Sequence, residues 1–210
     1  MGSPDHSVQF YDADDALLDE LEEYVGSGLA AGEGVVVIAT GEHRERVEER
    51  LMRGGIDVRR ARSDGQYLAY DAHETLRVIL GPDGPDPRRF VQAVAPALTK
   101  AGRDRRHVRA FGEMVAILWE RGQSEWALRL ESFWNDLGRT RSFALLCAYP
   151  MRAFRGVAHR QGLLDVCGAH GRVIPAESYP ALGPPDERNR AILLLQQKAS
   201  SWDGIEPPAR

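Results

Sequence analysis

The segment from residue 32 to residue 53 constrains the fold more than any other part of the chain. Val35–Ala39 is a run of five apolar residues, three of them valine, bounded by glycine-containing turns. Such a run is typical of a parallel strand that is covered on both faces. In the charged segment that follows, His43, Val47 and Leu51 are spaced four residues apart, which predicts a helix with one buried face. A strand, a short loop and a helix in this order indicate an α/β fold.

The loop between this strand and this helix reads Thr40-Gly41-Glu42-His43. It occupies the position at which a P-loop protein binds phosphates. A phosphate loop needs glycines, a lysine and a serine or threonine, and this loop has no Gly-Lys-Ser/Thr sequence and introduces a carboxylate. The architecture therefore favours a nucleotide-binding fold, whereas the chemistry of the loop argues against a nucleotide.

The rest of the chain continues the alternation of strands and helices. Predicted strands are Val8–Tyr11, Val35–Ala39, Asp57–Ala61, Gln66–Tyr70, His107–Phe111 and Ser142–Tyr149, with helices at 14–29, 42–53, 72–80, 87–101, 113–121 and 124–137. The segment Cys167–Pro185 contains several proline and glycine residues and is predicted to be irregular. This order predicts an α/β fold, with a mostly parallel sheet, helices on both of its faces and a C-terminal helical extension.

Composition restricts the class of function. The chain has 210 residues, a net charge of −4 and an isoelectric point of about 5.9, so no general attraction to nucleic acid or anionic membranes is expected. No segment approaches the roughly 18 apolar residues of a membrane helix, and the N-terminus lacks a signal-peptide pattern. We therefore expect a cytoplasmic protein that has neither a nucleic acid nor a membrane as its partner, with Cys147 and Cys167 as free thiols.

Candidate site residues follow from the rule that ligands of open α/β sheets bind at the carboxyl ends of the strands. We expect the ligand-binding residues at this edge to be His6, Tyr11, Thr40, Glu113, Cys147 and Tyr149. Glu113 is the sharpest of them, because it follows a strand and a glycine and opens a helix. Each has a plainer alternative: Glu113 as a complement to the helix dipole, His6 as a surface residue and Cys147 as a core residue.

Metal and catalytic motifs are incomplete. Cys167 and His170 have the spacing of a metal-binding pair, but two ligands are too few for zinc unless Cys147 or another histidine converges on them. The Gly-x-Ser-x-Gly, Gly-x-Gly-x-x-Gly and His-Glu-x-x-His motifs are absent. We therefore expect no metal, no cofactor and no enzymatic activity.

Several short segments together resemble the MEDS domain, the methanogen/methylotroph sensory domain of bacterial and archaeal regulators. These segments are His6-x4-Tyr11, residues 28–34, residues 64–66, residues 111–114 and residues 146–150. The resemblance covers residues 6 to 155, which we take as the sensory domain, and leaves 156–210 as an extension. It implies a fold similar to RecA-like ATPases with a degenerate phosphate loop.

The resemblance also implies a function. It indicates a sensory or regulatory module, of the kind used in two-component systems and transcription regulation, that binds a small organic ligand. Because no kinase or DNA-binding module follows, we expect output through a regulatory protein partner in trans, either a kinase or a transcription factor. The alternatives are an ATPase with an atypical phosphate loop and an adaptor that only binds proteins.

The C-terminal extension resembles the exit segment that joins such domains to a signalling helix. We expect Arg188–Trp202 to be a docking or dimerisation helix, with Ile192, Leu195 and Ala199 as its apolar seam. A homodimer is therefore a further expectation. The alternative is that this helix packs on the sheet of its own domain, because a single helix of about fifteen residues is marginal alone.

Overall fold

The computed structural model describes residues 5–105, 107–154 and 160–177. Its strands are β1 (His6–Tyr11), β2 (Gly34–Ala39), β3 (Tyr67–Asp71), β4 (Leu80–Gly81), β5 (Gly84–Pro85), β6 (Val108–Gly112), β7 (Ala144–Pro150) and β8 (Arg172–Ile174). Its α-helices are α1 (Asp14–Ala30), α2 (Gly41–Arg53), α3 (Val58–Ser63), α4 (Ala72–Ile79), α5 (Pro87–Ala101), α6 (Met114–Glu120), α7 (Ser124–Thr140) and α8 (Arg160–Ala169).

One parallel sheet organises the described chain. Its six strands lie in the order β3-β2-β6-β7-β1-β8, and every neighbouring pair is parallel. Strands β4 and β5 form a separate short antiparallel hairpin. The predicted α/β class and the mostly parallel sheet are confirmed.

Helices cover the sheet on both faces, which gives two apolar cores. We call the side that carries α1, α2 and α3 the first face, and its core includes Val35, Val37 and Tyr11. The helices from α4 to α8 pack on the second face, around Val36, Ile38 and a group of aromatic residues that includes Phe90, Trp134 and Tyr149. Successive residues of a strand point to opposite faces, so every residue of β2 is buried, as its apolar run predicts.

Two local predictions are wrong. The segment predicted as a strand at Asp57–Ala61 forms α3, because the Asp57 carboxylate accepts a hydrogen bond from the Arg60 backbone N–H and so caps a helix. Val58 and Ala61, three residues apart, then bury on one helical face. The predicted irregular segment after Cys167 contains β8, which pairs with β1.

The described structure continues beyond residue 155, where we expected the sensory domain to end. Strand β8 and helix α8 lie beyond residue 155, our predicted domain limit, and β8 belongs to the same sheet as β1. The predicted docking helix Arg188–Trp202 lies outside the described residues, so its role stays a prediction. Among the residues that the structure describes, no helix has the length and apolar character needed to cross a membrane.

Gly34 opens β2 at a point where the end of α5 lies against the strand. A Cβ added there would lie 2.6 Å from the Ala101 carbonyl carbon and closer still to its oxygen, so backbone would have to move. We predict that Gly34→Ala lowers the free energy of unfolding by about 1–3 kcal/mol. Urea denaturation measures this loss. Gly168→Ala is the matched control, because no atom lies within 4 Å of its added Cβ; equal losses in both variants would contradict the prediction.

Candidate functional site

The carboxyl ends of β2 and β6 form a topological switch point. These strands are neighbours in the sheet. The chain leaves β2 through α2 on the first face towards β3, and it leaves β6 through α6 and α7 on the second face towards β7. Connections that diverge in this way open a crevice at the strand ends, which is where open α/β sheets bind their ligands.

Glu113 closes this crevice. Its backbone N–H donates to the Ile38 carbonyl at 2.9 Å. One carboxylate oxygen accepts a hydrogen bond from the Thr40 backbone N–H at 2.8 Å, and the other lies 2.7 Å from His43 Nδ1. Only 4% of Glu113 is exposed. The carboxylate therefore joins the end of β6 to the first residues of α2, and it satisfies a backbone donor at the start of that helix.

His43 is held between two acidic groups. Its Nδ1 faces Glu113, and its Nε2 lies 3.8 Å from the partly exposed carboxylate of Asp14. Burial alone would lower the pKa of His43, but the hydrogen bond and charge of Glu113, with the charges of Asp14 and Glu42, outweigh it, so the pKa lies above its ordinary value of 6.5. Folding therefore shifts the titration of His43 towards its protonated form.

Tyr11 is the last residue of β1 and lies at the same edge of the sheet. Its side chain is buried, and burial followed by the negative charge of Glu113 raises the pKa of its phenol well above the usual range. Tyr11 therefore stays protonated and is a hydrogen-bond donor. Arg152 lies 3.9 Å from Asp14 and also pairs with Glu120 at the surface. We call Tyr11, Thr40, His43 and Glu113 the strand-end site.

The six residues that we predicted as one site fall into two groups. Thr40 and Glu113 are in direct contact, with Tyr11 at the same edge of the sheet. His6, Cys147 and Tyr149 belong to the second face, where Cys147 and Tyr149 lie in its core. His6 and Tyr11 are five residues apart on β1, so they lie on opposite faces and about 16 Å apart along the strand. The expected convergence of all six residues is therefore not found.

The second group is built around Glu131, a residue that sequence reasoning missed. His6, Cys147 and Tyr149 all contact its carboxylate, and His170 approaches it from the end of α8. Glu131 is fully buried on α7 between Ala127 and Trp134. Its position one residue after Leu130 within an apolar helical stripe was the available signal. His43 likewise shares the buried stripe of α2 with Val47 and Leu51.

The strand-end site is suited to recognition. It offers an acceptor carboxylate, an imidazole that carries a proton and a phenol donor, all buried near a partly exposed carboxylate. The site contains no serine or cysteine beside His43 that would act as a nucleophile among the described contacts. These groups fit hydrogen bonding to a small polar molecule.

The fold and this edge of the sheet define an α/β domain with a switch-point crevice in which a carboxylate occupies the helix N-terminus. Residues 5–170 match the family described as MEDS, the methanogen/methylotroph, DcmR sensory domain. This match covers most of the chain, so the protein belongs to the MEDS family, and the resemblance seen in the sequence is confirmed. No curated protein and no solved structure matches the chain.

The raised pKa of His43 predicts a pH-dependent contribution to stability. Because the folded pKa exceeds the unfolded value of about 6.5, the contribution is complete below that pH and is lost as pH rises through the folded pKa. We expect His43→Gln to cost about 1.5–3 kcal/mol at about pH 5.5, the range for hydrogen bonds to charged groups, and less at about pH 9. Urea denaturation of both proteins across this range measures the difference.

His6 also makes the free energy of unfolding depend on pH, but it does so equally in wild type and in His43→Gln, so the difference between the two proteins cancels its contribution. Burial and the charge of His170 lower the pKa of His6, which gives both proteins the opposite dependence on pH. His73→Gln is the matched control, because His73 is exposed on α4 and its ring contacts only the exposed Arg121 side chain among the described hydrogen bonds, so its loss should cost less stability than the loss of His43. If the stability difference between wild type and His43→Gln increases as pH rises, the role assigned to the His43–Glu113 pair is wrong.

Proposed function

We propose that this chain is a non-enzymatic sensory module that binds a small organic ligand at the strand-end site and signals to a protein partner in trans. Membership of a sensory-domain family supports the sensory and regulatory part of this proposal. The observation that carries it is the Glu113 carboxylate, which occupies the backbone donor at the start of α2 and pairs with His43.

The same observation weighs against the nucleotide-binding alternative. Helix N-termini bind phosphates through free backbone N–H groups and a favourable dipole. Here the Thr40 N–H donates to an internal carboxylate, so a phosphate would have to displace Glu113 and face its negative charge. Glu42, the acidic residue that we first noted in this loop, is exposed instead and pairs with Arg46 at 3.7 Å. The carboxylate that would repel a phosphate is therefore that of Glu113, which follows the neighbouring strand β6.

The charges around the crevice indicate the chemistry of the ligand. Glu113 and Asp14 supply negative charge on either side of His43, and Tyr11 supplies a protonated phenol. A small amine or alcohol matches these groups, because it donates hydrogen bonds to a carboxylate, and a protonated amine also has the opposite charge. The close packing of buried groups favours the smallest members of either class.

Membership of a sensory-domain family supports a protein partner that receives the signal. We propose a regulatory protein, a kinase or a transcription factor, that responds to the ligand-bound domain, and we retain self-association through the C-terminal segment as part of the proposal. The adaptor alternative requires partner binding without a ligand, so a ligand titration distinguishes the two.

Our first functional prediction is that MgATP does not bind with micromolar affinity. The reason is the missing lysine and hydroxyl of a phosphate loop, together with the Glu113 carboxylate at the helix N-terminus. Isothermal titration calorimetry and a phosphate-release assay measure binding and hydrolysis. Micromolar binding, or hydrolysis that disappears in Glu42→Ala, would establish the nucleotide-binding alternative.

Our second functional prediction is that small amines or alcohols raise the melting temperature. Methylammonium chloride and methanol are the first probes, and sodium formate of equal ionic strength is the charge-reversed comparison. A ligand that binds only the folded state stabilises it in proportion to the logarithm of its concentration, so we expect a rise that grows with methylammonium or methanol and is absent with formate. Differential scanning fluorimetry measures it.

The matched variants are Glu113→Gln and Glu125→Gln. The first removes the charge of the strand-end site, whereas the second removes the charge of an exposed carboxylate on α7. We expect the shift to disappear only in Glu113→Gln, and Tyr11→Phe provides a second variant if Glu113→Gln does not fold. A shift that persists in both site variants would reject this site, and no shift with any amine or alcohol would favour the adaptor.

A further inference from the structure

Four potential metal ligands converge on the second face of the sheet, away from the strand-end site. They are His6 at the start of β1, Cys147 on β7, Glu131 on α7 and His170 after α8. Their ligand atoms all lie within 4.8 Å of one another. The four residues are between 0% and 3% exposed. We call them the His-Glu-Cys cluster.

Four separations among the side-chain atoms of the cluster are close to the edge of a zinc tetrahedron. His6 Nε2 lies 3.4 Å from Cys147 Sγ and 3.4 Å from Glu131 Oε2. Cys147 Sγ lies 3.5 Å from Glu131 Oε2, and His170 Nε2 lies 3.4 Å from Glu131 Oε1. Zinc bonds of about 2.0–2.3 Å to nitrogen, oxygen and sulfur give tetrahedral edges of about 3.3–3.7 Å. The observed separations are of this size, and all the ligand atoms lie within 4.8 Å of one another, which is close enough for one ion to contact all four residues.

Both imidazoles are oriented by groups outside the cluster. His6 Nδ1 lies 3.0 Å from Asn135 Oδ1, and His170 Nδ1 lies 2.6 Å from the Val166 carbonyl. Each Nδ1 therefore carries the proton and donates it, which leaves the Nε2 lone pair directed into the cluster. This arrangement is the usual support of a metal-binding histidine. The Asn135 amide is itself fixed by donating to the Ala169 carbonyl at 3.0 Å.

One atom of the cluster makes no hydrogen bond among the described residues. His170 Nε2 is buried, and although it lies 3.4 Å from Glu131 Oε1, it makes no hydrogen bond. A buried polar atom that makes no hydrogen bond is costly. The two imidazole rings also lie close together, with centroids 4.1 Å apart. A cation between the two Nε2 atoms would bind His170 Nε2 and would explain why the rings of His6 and His170 lie close together.

We propose that the His-Glu-Cys cluster binds one divalent transition metal of the zinc type. Thiolate, imidazole and carboxylate donors suit zinc, whereas magnesium and calcium prefer oxygen ligands alone. The carboxylate and the thiolate supply two negative charges, so the bound centre is electrically neutral inside the core. Binding converts the Cys147 thiol to a thiolate, and the proton is released to solvent.

Four protein ligands make this a closed site, which is the structural type rather than the catalytic type. Tyr149 donates a 2.8 Å hydrogen bond to Glu131 and orients the carboxylate from outside. His170 lies between α8 and β8, so the metal would fix this last described segment to β1, β7 and α7. The proposal replaces our expectation of a metal-free chain, and it is independent of ligand binding at the strand-end site.

Cobalt titration of the full-length chain tests the proposal. The protein is stripped with a chelator and titrated with Co²⁺, which reports a thiolate bond through charge-transfer absorption and tetrahedral geometry through intense visible bands. We expect saturation at one Co²⁺ per chain, loss of the bands when Zn²⁺ is added, and a higher melting temperature with Zn²⁺. A wild-type protein that shows no thiolate–cobalt band at stoichiometric Co²⁺ overturns the proposal without any variant.

The two cysteines provide a matched pair of variants. Both are buried and free, but only Cys147 belongs to the His-Glu-Cys cluster, whereas Cys167 lies on α8 outside it. We expect Cys147→Ser to lose the charge-transfer band and to bind Co²⁺ at least about 100-fold more weakly, since even an outer partner of a metal ligand is worth 10–100-fold. Cys167→Ser should bind as wild type does. Loss of the band in Cys167→Ser alone would reject the assigned ligands.

Discussion

Two buried carboxylates, one at the carboxyl edge of the sheet and one on its second face, determine the arrangement of the polar groups inside this protein. Glu113 is 4% exposed and Glu131 is fully buried. Removing an ionised carboxylate from water costs several kcal/mol unless hydrogen bonds and opposite charges replace the solvent. Each carboxylate is accordingly surrounded by donors from distant parts of the chain, and these donors are the functional candidates on each face.

Glu113 also explains how the N-terminus of α2 can be stable in this fold without a bound phosphate. In a phosphate-binding α/β protein the ligand supplies the negative charge at the helix N-terminus. Here a side chain supplies it, and His43 pairs with that side chain. Under our proposal, a ligand at the strand-end site would compete with these bonds, and a module that changes state on binding needs such a competition.

Most of the fold was predictable because the sheet is buried on both faces. The apolar runs of β2 and β7 and the helical spacing of α2 and α7 are patterns within short segments. Such patterns predicted these four elements correctly. The strand predicted at Asp57–Ala61 failed because a single side-chain cap turned the segment into α3. Strand β8 was missed because three residues beside β1 carry too little pattern to recognise.

The candidate site was predictable only in part, for a geometric reason. Glu113 and Thr40 follow two strands that are neighbours, so the strand-end rule placed them correctly at one edge. His6 was assigned to the same edge, but it is the first residue of β1 and therefore lies at the opposite end of the strand from Tyr11. Its odd spacing from Tyr11 also places the two side chains on opposite faces. Glu131 and His170 meet His6 only through the packing of α7 and α8, which no spacing in the sequence reveals.

The strand-end site and the His-Glu-Cys cluster share one element, because β1 begins at His6 and ends at Tyr11. Their side chains lie on opposite faces, so no direct contact couples them. Substitutions at sites separated by more than about 7–10 Å usually add in free energy. Strand β1 is the element that contributes residues to both sites, and it pairs with β7 on one side and β8 on the other. Under the two proposals, any coupling between the proposed ligand and the segment around His170 would have to act through the packing of such shared elements and not through a direct contact.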